Sequence, residues 1–167
     1  MTSTDIYDPC HKAGGMSSYA WEDDPKRLTF TLARYKHVAK MLEGYKQVIE
    51  VGCSDGFGSR IVRQHVRYLK AIDLDQQAIE EAKIAIKNSK WWVDFECMSI
   101  YDYVFDYKYD ACYCLDVFEH VPKTSEDKFL AHLHKLAPVC IVGTPSLESQ
   151  KYASKLSKEA GRSRGRG

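Results

Sequence analysis

Apolar residues recur along this chain in two alternating rhythms. Between residues 28 and 42 they fall at Leu28, Leu32, Tyr35, Val38, Ala39 and Leu42, the three- and four-residue steps of a helix that buries one face. Gly44 supplies its stop. Short apolar runs follow at 47–51, 68–73, 92–98, 109–115 and 138–143, each of strand length. Helical patterns near 58–66, 75–88 and 124–136 separate them. In the second of these, Ala78, Ile79, Ala82, Ala85 and Ile86 form an apolar stripe with Glu80, Glu81, Lys83 and Lys87 outward. Asp75 stands just ahead of it, where an N-cap side chain accepts a backbone N–H. Strands alternating with helices predict right-handed βαβ crossovers, hence an α/β, Rossmann-like parallel sheet of five strands with helices on both faces. Residues 1–25 read as an irregular segment or lid, because Asp8-Pro9, Gly14-Gly15 and Asp24-Pro25 break any regular pattern. Residues 26–150 form the domain, and 151–167 a basic tail.

The first strand runs into Glu50-Val51-Gly52-Cys53-Ser54-Asp55-Gly56-Phe57-Gly58, and a helical pattern follows. Glycines in a strand-to-helix turn adopt positive φ freely and let a ligand approach the backbone. An acid about 20 residues further on is the ribose hook of a nucleotide-type ligand in a βαβ unit, and Asp73 stands there. A dinucleotide fingerprint begun at Gly52 needs glycine at positions 54 and 57, which hold Ser54 and Phe57. A phosphate-cradling P-loop needs a lysine that this turn lacks. The ligand expected here contains adenosine and needs no phosphate cradle.

What remains, acid-x-Gly-x-x-x-Gly-x-Gly, resembles motif I of the class I S-adenosylmethionine-dependent methyltransferases. Downstream, residues 109–122 with Leu115-Asp116-Val117-Phe118-Glu119-His120-Val121-Pro122 resemble the fourth strand and following loop of that family's small-molecule branch. The resemblance covers roughly residues 15 to 155. It implies S-adenosyl-L-methionine as cofactor and transfer of its methyl group to a small-molecule acceptor. The alternative it leaves open is a truncated or non-catalytic methyltransferase-like domain that binds the donor weakly or needs a partner.

Roles follow from the resemblance, residue by residue. Gly52, Cys53, Ser54 and Gly56 pass beneath the donor's methionine and ribose; Glu50 orients that loop or the donor's amino group. Asp73 accepts both ribose hydroxyls, as two carboxylate oxygens allow, and Leu74 packs on the adenine. Ser99 and Ile100 stand where the family often places an acid against the adenine amine, with Asp102 a substitute from further along. Leu115 offers its carbonyl, Asp116 its side chain, and His120 is the candidate base for an acceptor hydroxyl. Tyr19, Trp21, Arg34 and Tyr35 are placed to fold over the ligand, with Arg34 pairing the donor's carboxylate. Thr144-Pro145-Ser146 resembles an acceptor-side loop. Methyl displacement from a sulfonium needs alignment and exclusion of water more than acid-base groups.

Composition narrows the picture. An apolar share of 44% and aromatic share of 12% in 167 residues suit one packed domain. No apolar run reaches 18 residues and no signal peptide opens the chain, so a cytoplasmic protein without membrane contact is expected. The six cysteines read as free thiols rather than a disulfide framework, and Cys112-x-Cys114 lacks a second ligand pair for a metal. A net charge of +1 conceals a tail with six Lys/Arg and one acid, Glu159, behind a mildly acidic body. That body offers no basic stripe for nucleic acid. The family's sheet ends in an antiparallel hairpin, and the residues after 143 hold too few apolar or β-branched positions to make one. The expected result is a missing C-terminal hairpin and an unpaired fifth-strand edge, through which a homo-oligomer could form.

Overall fold

The structure is a computed structural model that describes residues 14–104 and 109–145. The expected tail, Cys10, the Asp8-Pro9 break and Ser146 lie outside the described residues. Five strands, β1 (Gln47–Val51), β2 (Tyr68–Asp73), β3 (Asp94–Cys97), β4 (Ala111–Leu115) and β5 (Val139–Gly143), form one sheet in the order β3-β2-β1-β4-β5. Every pairing is parallel. The two halves of the sheet diverge between β1 and β4, the switch point at which open α/β sheets bind ligands beyond their strand ends.

Alternation along the strands sends neighbouring residues to opposite faces. Val48, Leu69, Ala71, Phe95, Ala111 and Tyr113 pack with Val38 of α2 (Pro25–Met41) and Leu42 at its C-cap, Val62 of α3 (Ser59–Arg63), and Ile79, Ala82 and Ile86 of α4 (Gln76–Ile86). Ile49, Val51, Ile72, Cys112 and Cys114 pack with Phe129, Leu133 and Leu136 of α5 (Glu126–Leu136). Both faces of the central strands are therefore dry, which is why β4 reads Ala-Cys-Tyr-Cys-Leu without a polar position and is buried throughout. Asp75 caps α4 as expected, its side chain accepting from Ala78 N at 3.1 Å.

One expectation needs correction. Residues 15–23, within the segment read as irregular, form a helix, α1 (Gly15–Asp23). None of its residues is buried, so its sequence carries no apolar stripe. It is docked instead by polar contacts: Gly15 N donates to Glu81 Oε2 at 2.8 Å, and Ser17 N to Asp55 Oδ2 at 2.8 Å. The Asp24-Pro25 break holds, but it separates two helices. Asp24 is extended at φ −158° and accepts from Lys26 N, and Pro25 opens α2, where its missing N–H is harmless.

β5 has β4 on one side and is the last strand of the sheet among the described residues, with Val139 and Val142 exposed. Five described cysteines are free thiols, and no metal-binding group of three or more ligands occurs among the described residues. No helix among them is long and apolar enough to cross a membrane.

Candidate functional site

The loops leaving β1, β2, β3 and β4 all emerge at the carboxyl edge of the sheet, and sheet order sets them side by side. The turn after β1 is held by backbone bonds from Gly52 N and Cys53 N to Ile72 O at 2.8 and 3.2 Å. Gly52, Ser54 and Gly56 take positive φ of 83°, 49° and 66°. Side chains of the chain itself occupy the space that the glycines leave. A Cβ on Gly52 would lie 2.1 Å from Val117 Cγ2, and one on Gly56 2.2 Å from Phe95 Cζ. These two glycines thus let the loop press onto β3 and onto the turn after β4.

Asp73 ends β2 and fastens this turn. Its Oδ2 accepts from Ser54 N at 2.7 Å and its Oδ1 from Asp75 N at 3.0 Å. A carboxylate has about four acceptor positions, so each oxygen keeps a lone pair for a ligand. Leu74, the next residue, is 75% exposed, an uncovered apolar surface beside a fixed carboxylate. Ser99 Oγ accepts from Tyr101 N at 3.1 Å and starts a 3-10 turn over Ile100–Asp102. Ile100 is buried and Asp102 exposed.

Glu50 lies beneath the loop with no exposed surface. Tyr35 OH donates to its Oε1 at 2.7 Å and Tyr113 OH to its Oε2 at 2.8 Å. The buried hydroxyl of Ser59 faces the same carboxylate without well-formed hydrogen-bond geometry of its own. Burial pushes the Glu50 carboxyl above its usual range, opposed by these hydroxyls. The same burial and the neighbouring carboxylate push the Tyr35 and Tyr113 phenols well up. Glu50 therefore links α2, β1 and β4 under the glycine turn. Cys53, also buried, has its thiol pushed up by desolvation.

Leu115 ends β4 buried, and Asp116 follows at φ +56° with its N–H bonded to Gly143 O at 2.8 Å. Its Oδ2 pairs with Arg34 of α2 in a salt bridge. Asp116 Oδ1 and Arg34 Nε are both buried and make no hydrogen bond among the described residues. His120 is exposed in the 3-10 turn Phe118–His120, its N–H bonded to Val117 O at 2.9 Å.

The sequence-derived site residues thus fall on adjacent loops. Ser54 and Asp73 are in contact, Gly52 abuts the loop that carries Asp116, and Glu50 lies below them all. Of the residues expected to fold over a ligand, Tyr35 belongs to the core and Arg34 reaches Asp116. Tyr19 and Trp21 of α1 are exposed. Sequence reasoning did not single out Tyr113 or the docking of α1 onto Asp55. An aromatic in a buried central strand opposite a buried acid was the available signal for Tyr113. Ser17 carried none.

A three-layer α/β fold with a glycine turn, an acid closing β2 and a charged turn after β4 places this domain in the Rossmann-like class. Residues 48–137 match the methyltransferase domain family, more than half of the chain, and the chain belongs to that family. It is similar to the ubiquinone biosynthesis O-methyltransferase of Thiobacillus denitrificans, with 30% identity over 79 residues, 46% of this chain and 34% of that protein. The Chromobacterium violaceum enzyme of the same name is 27% identical over 103 residues, 60% of this chain and 42% of that one. The chain spans well under half the length of these relatives. Solved methyltransferase structures share the fold. Magnesium protoporphyrin IX methyltransferase from Synechocystis PCC 6803 with bound SAH has a TM-score of 0.59 at 22% identity, over 78% of this chain and 62% of that one. The N-methyltransferase NodS from Bradyrhizobium japonicum WM9 has a TM-score of 0.60 at 14% identity, over 78% and 68%.

Proposed function

We propose that this chain binds S-adenosyl-L-methionine at the carboxyl edge of its sheet and transfers the methyl group to a small-molecule acceptor. The observation that carries the reading is Asp73, a carboxylate anchored to the Ser54 amide of the glycine turn beside exposed Leu74. The orphaned polar atoms suit the other end of the donor. Among the described residues Asp116 Oδ1 lacks a donor and Arg34 Nε lacks an acceptor, and the ammonium and carboxylate of a methionine group supply one of each.

When bound, the cofactor's sulfonium supplies a methyl group to a nucleophile by direct displacement. The chain's part is alignment and shielding. Asp73 accepts the ribose hydroxyls on its free lone pairs, Leu74 covers one face of the base, and Ser99 and Ile100 border it. Gly52, Cys53, Ser54 and Gly56 form the floor, which Glu50 holds from below. Leu115 presents its carbonyl to the ammonium group. Asp116 and Arg34 hold the amino-acid end, and His120 takes a proton from the acceptor's hydroxyl. The relatives' printed function, O-methylation, supports an oxygen nucleophile.

The test is calorimetric titration of the full chain with S-adenosylhomocysteine, followed by transfer of labelled methyl to hydroxyl-bearing aromatic compounds. Saturable one-site binding and label on oxygen are expected. A chain that takes up no nucleoside over millimolar concentrations contradicts the proposal.

A further inference from the structure

Cys112 of β4 and Cys140 of β5 are direct partners in the parallel register. Adjacent strands stand about 4.8 Å apart, inside the Cα separations of roughly 4.4–6.8 Å that a disulfide spans. Their side chains lie on one face, Sγ to Sγ 3.2 Å apart. Each thiol is steered by α5 and its end: Cys112 Sγ donates to Leu133 O at 3.6 Å and Cys140 Sγ to Ala137 O at 3.5 Å. His134 Nδ1 lies 3.9 Å from Cys140 Sγ. Cys112 is fully buried while Cys140, on the edge strand, is partly exposed. Cys114, by contrast, has Val142 as its register partner.

We propose that Cys112 and Cys140 form a modification site, a dithiol that a low-molecular-weight disulfide such as oxidised glutathione converts to a cross-strand disulfide. Cys140 is the entry point because it meets solvent. Its sulfur, giving its proton to His134, attacks one sulfur of the oxidant and releases one glutathione as thiolate. Cys112 then attacks Cys140 Sγ within the mixed disulfide, and the second glutathione departs. The leaving thiolates take up the two protons, so two cysteine thiols and one oxidised glutathione become one protein disulfide and two reduced glutathiones. Burial pushes the Cys112 thiol up, which slows the second step relative to an exposed thiol in the same position. The product would fasten β5 to β4 beneath the Asp116 to Gly143 hydrogen bond that shapes the candidate site.

The experiment treats the folded full chain with oxidised glutathione and maps its cysteines by mass spectrometry of peptides. Wild type is expected to lose two hydrogens, to join the peptide holding Cys112 to the peptide holding Cys140, and to revert with dithiothreitol. It should also melt several degrees higher, because the cross-link closes a loop of more than twenty residues. Cys112→Ser should retain glutathione on Cys140, whereas Cys114→Ser should still form the link. A wild-type chain that keeps glutathione on Cys140, leaves Cys140 unmodified, or links Cys140 through Cys114 overturns the proposal, and none of these readouts depends on donor binding.

Discussion

Arg34 on α2 and Asp116 behind β4 form a salt bridge across 82 positions of sequence, with the guanidinium Nε and carboxylate Oδ1 buried and unbonded among the described residues. A pair satisfied on one side only is a costly arrangement unless a ligand completes it. The third-exposed side chains of this pair give it little weight in folding, so its effect belongs to binding. Arg34→Ala is expected to weaken S-adenosylhomocysteine binding by about tenfold or more, the range for a lost charge-assisted hydrogen bond. The melting temperature should hardly move. Calorimetry and a thermal melt on the same variant check both halves.

Glu50 makes stability depend on pH. Its carboxyl is raised above the ordinary value of 4.5, chiefly by burial, so the folded protein holds this proton more firmly than the unfolded chain. The sign follows: its contribution is fully present below the ordinary carboxylate range and is lost as pH rises through the folded-state value. By urea unfolding, wild type should lose stability as pH rises from 4.5, and Glu50→Gln should lack part of that decline. Parallel curves for the two proteins would mean that Glu50 does not titrate in this way.

Gly52 combines a φ of 83° with a Cβ position 2.1 Å from Val117 Cγ2. Gly52→Ala should therefore cost about 1–3 kcal/mol of stability by chemical denaturation. Adding Val117→Ala removes the clash but not the backbone strain. The double variant should recover part of the loss, and full recovery would show that φ contributes nothing.

Asp55 is the latch for α1. Its two oxygens accept from Ser17 N and Ser17 Oγ at 2.8 and 3.2 Å, and α1 buries no residue of its own. Asp55→Ala is expected to speed hydrogen exchange across residues 15–23 by roughly tenfold, while β1 and β4 keep their protection. Equal acceleration in the central strands would point to a general loss of stability.

Much of this architecture was written in the sequence because burial and local chemistry agreed there. Val48 and Ile49, or Ala111 and Cys112, are apolar on consecutive positions because both faces of a central parallel strand are covered. Asp75 fell where a cap belongs. The glycine turn and Asp73 were legible from spacing, and the structure adds that Ser54 joins them. What the sequence concealed was long-range polar contact. No local pattern ties Ser17 to Asp55, or Glu50 to Tyr35 and Tyr113, since those bonds depend on how helices settle on the sheet. The turn glycines were read as clearance for a ligand, and the structure adds that Val117 and Phe95 fill the space a Cβ would need at Gly52 and Gly56. The register that aligns Cys112 with Cys140 is likewise a property of strand pairing, invisible until β4 and β5 are side by side.

The most direct test of the account is the affinity of Asp73→Ala for S-adenosylhomocysteine beside that of wild type, measured by calorimetry on protein whose melting curve shows it folded. The account predicts saturable binding by wild type and a loss of at least about tenfold in the variant, as expected for removing a charged acceptor of ribose hydroxyls. Equal affinities in the two proteins would contradict it.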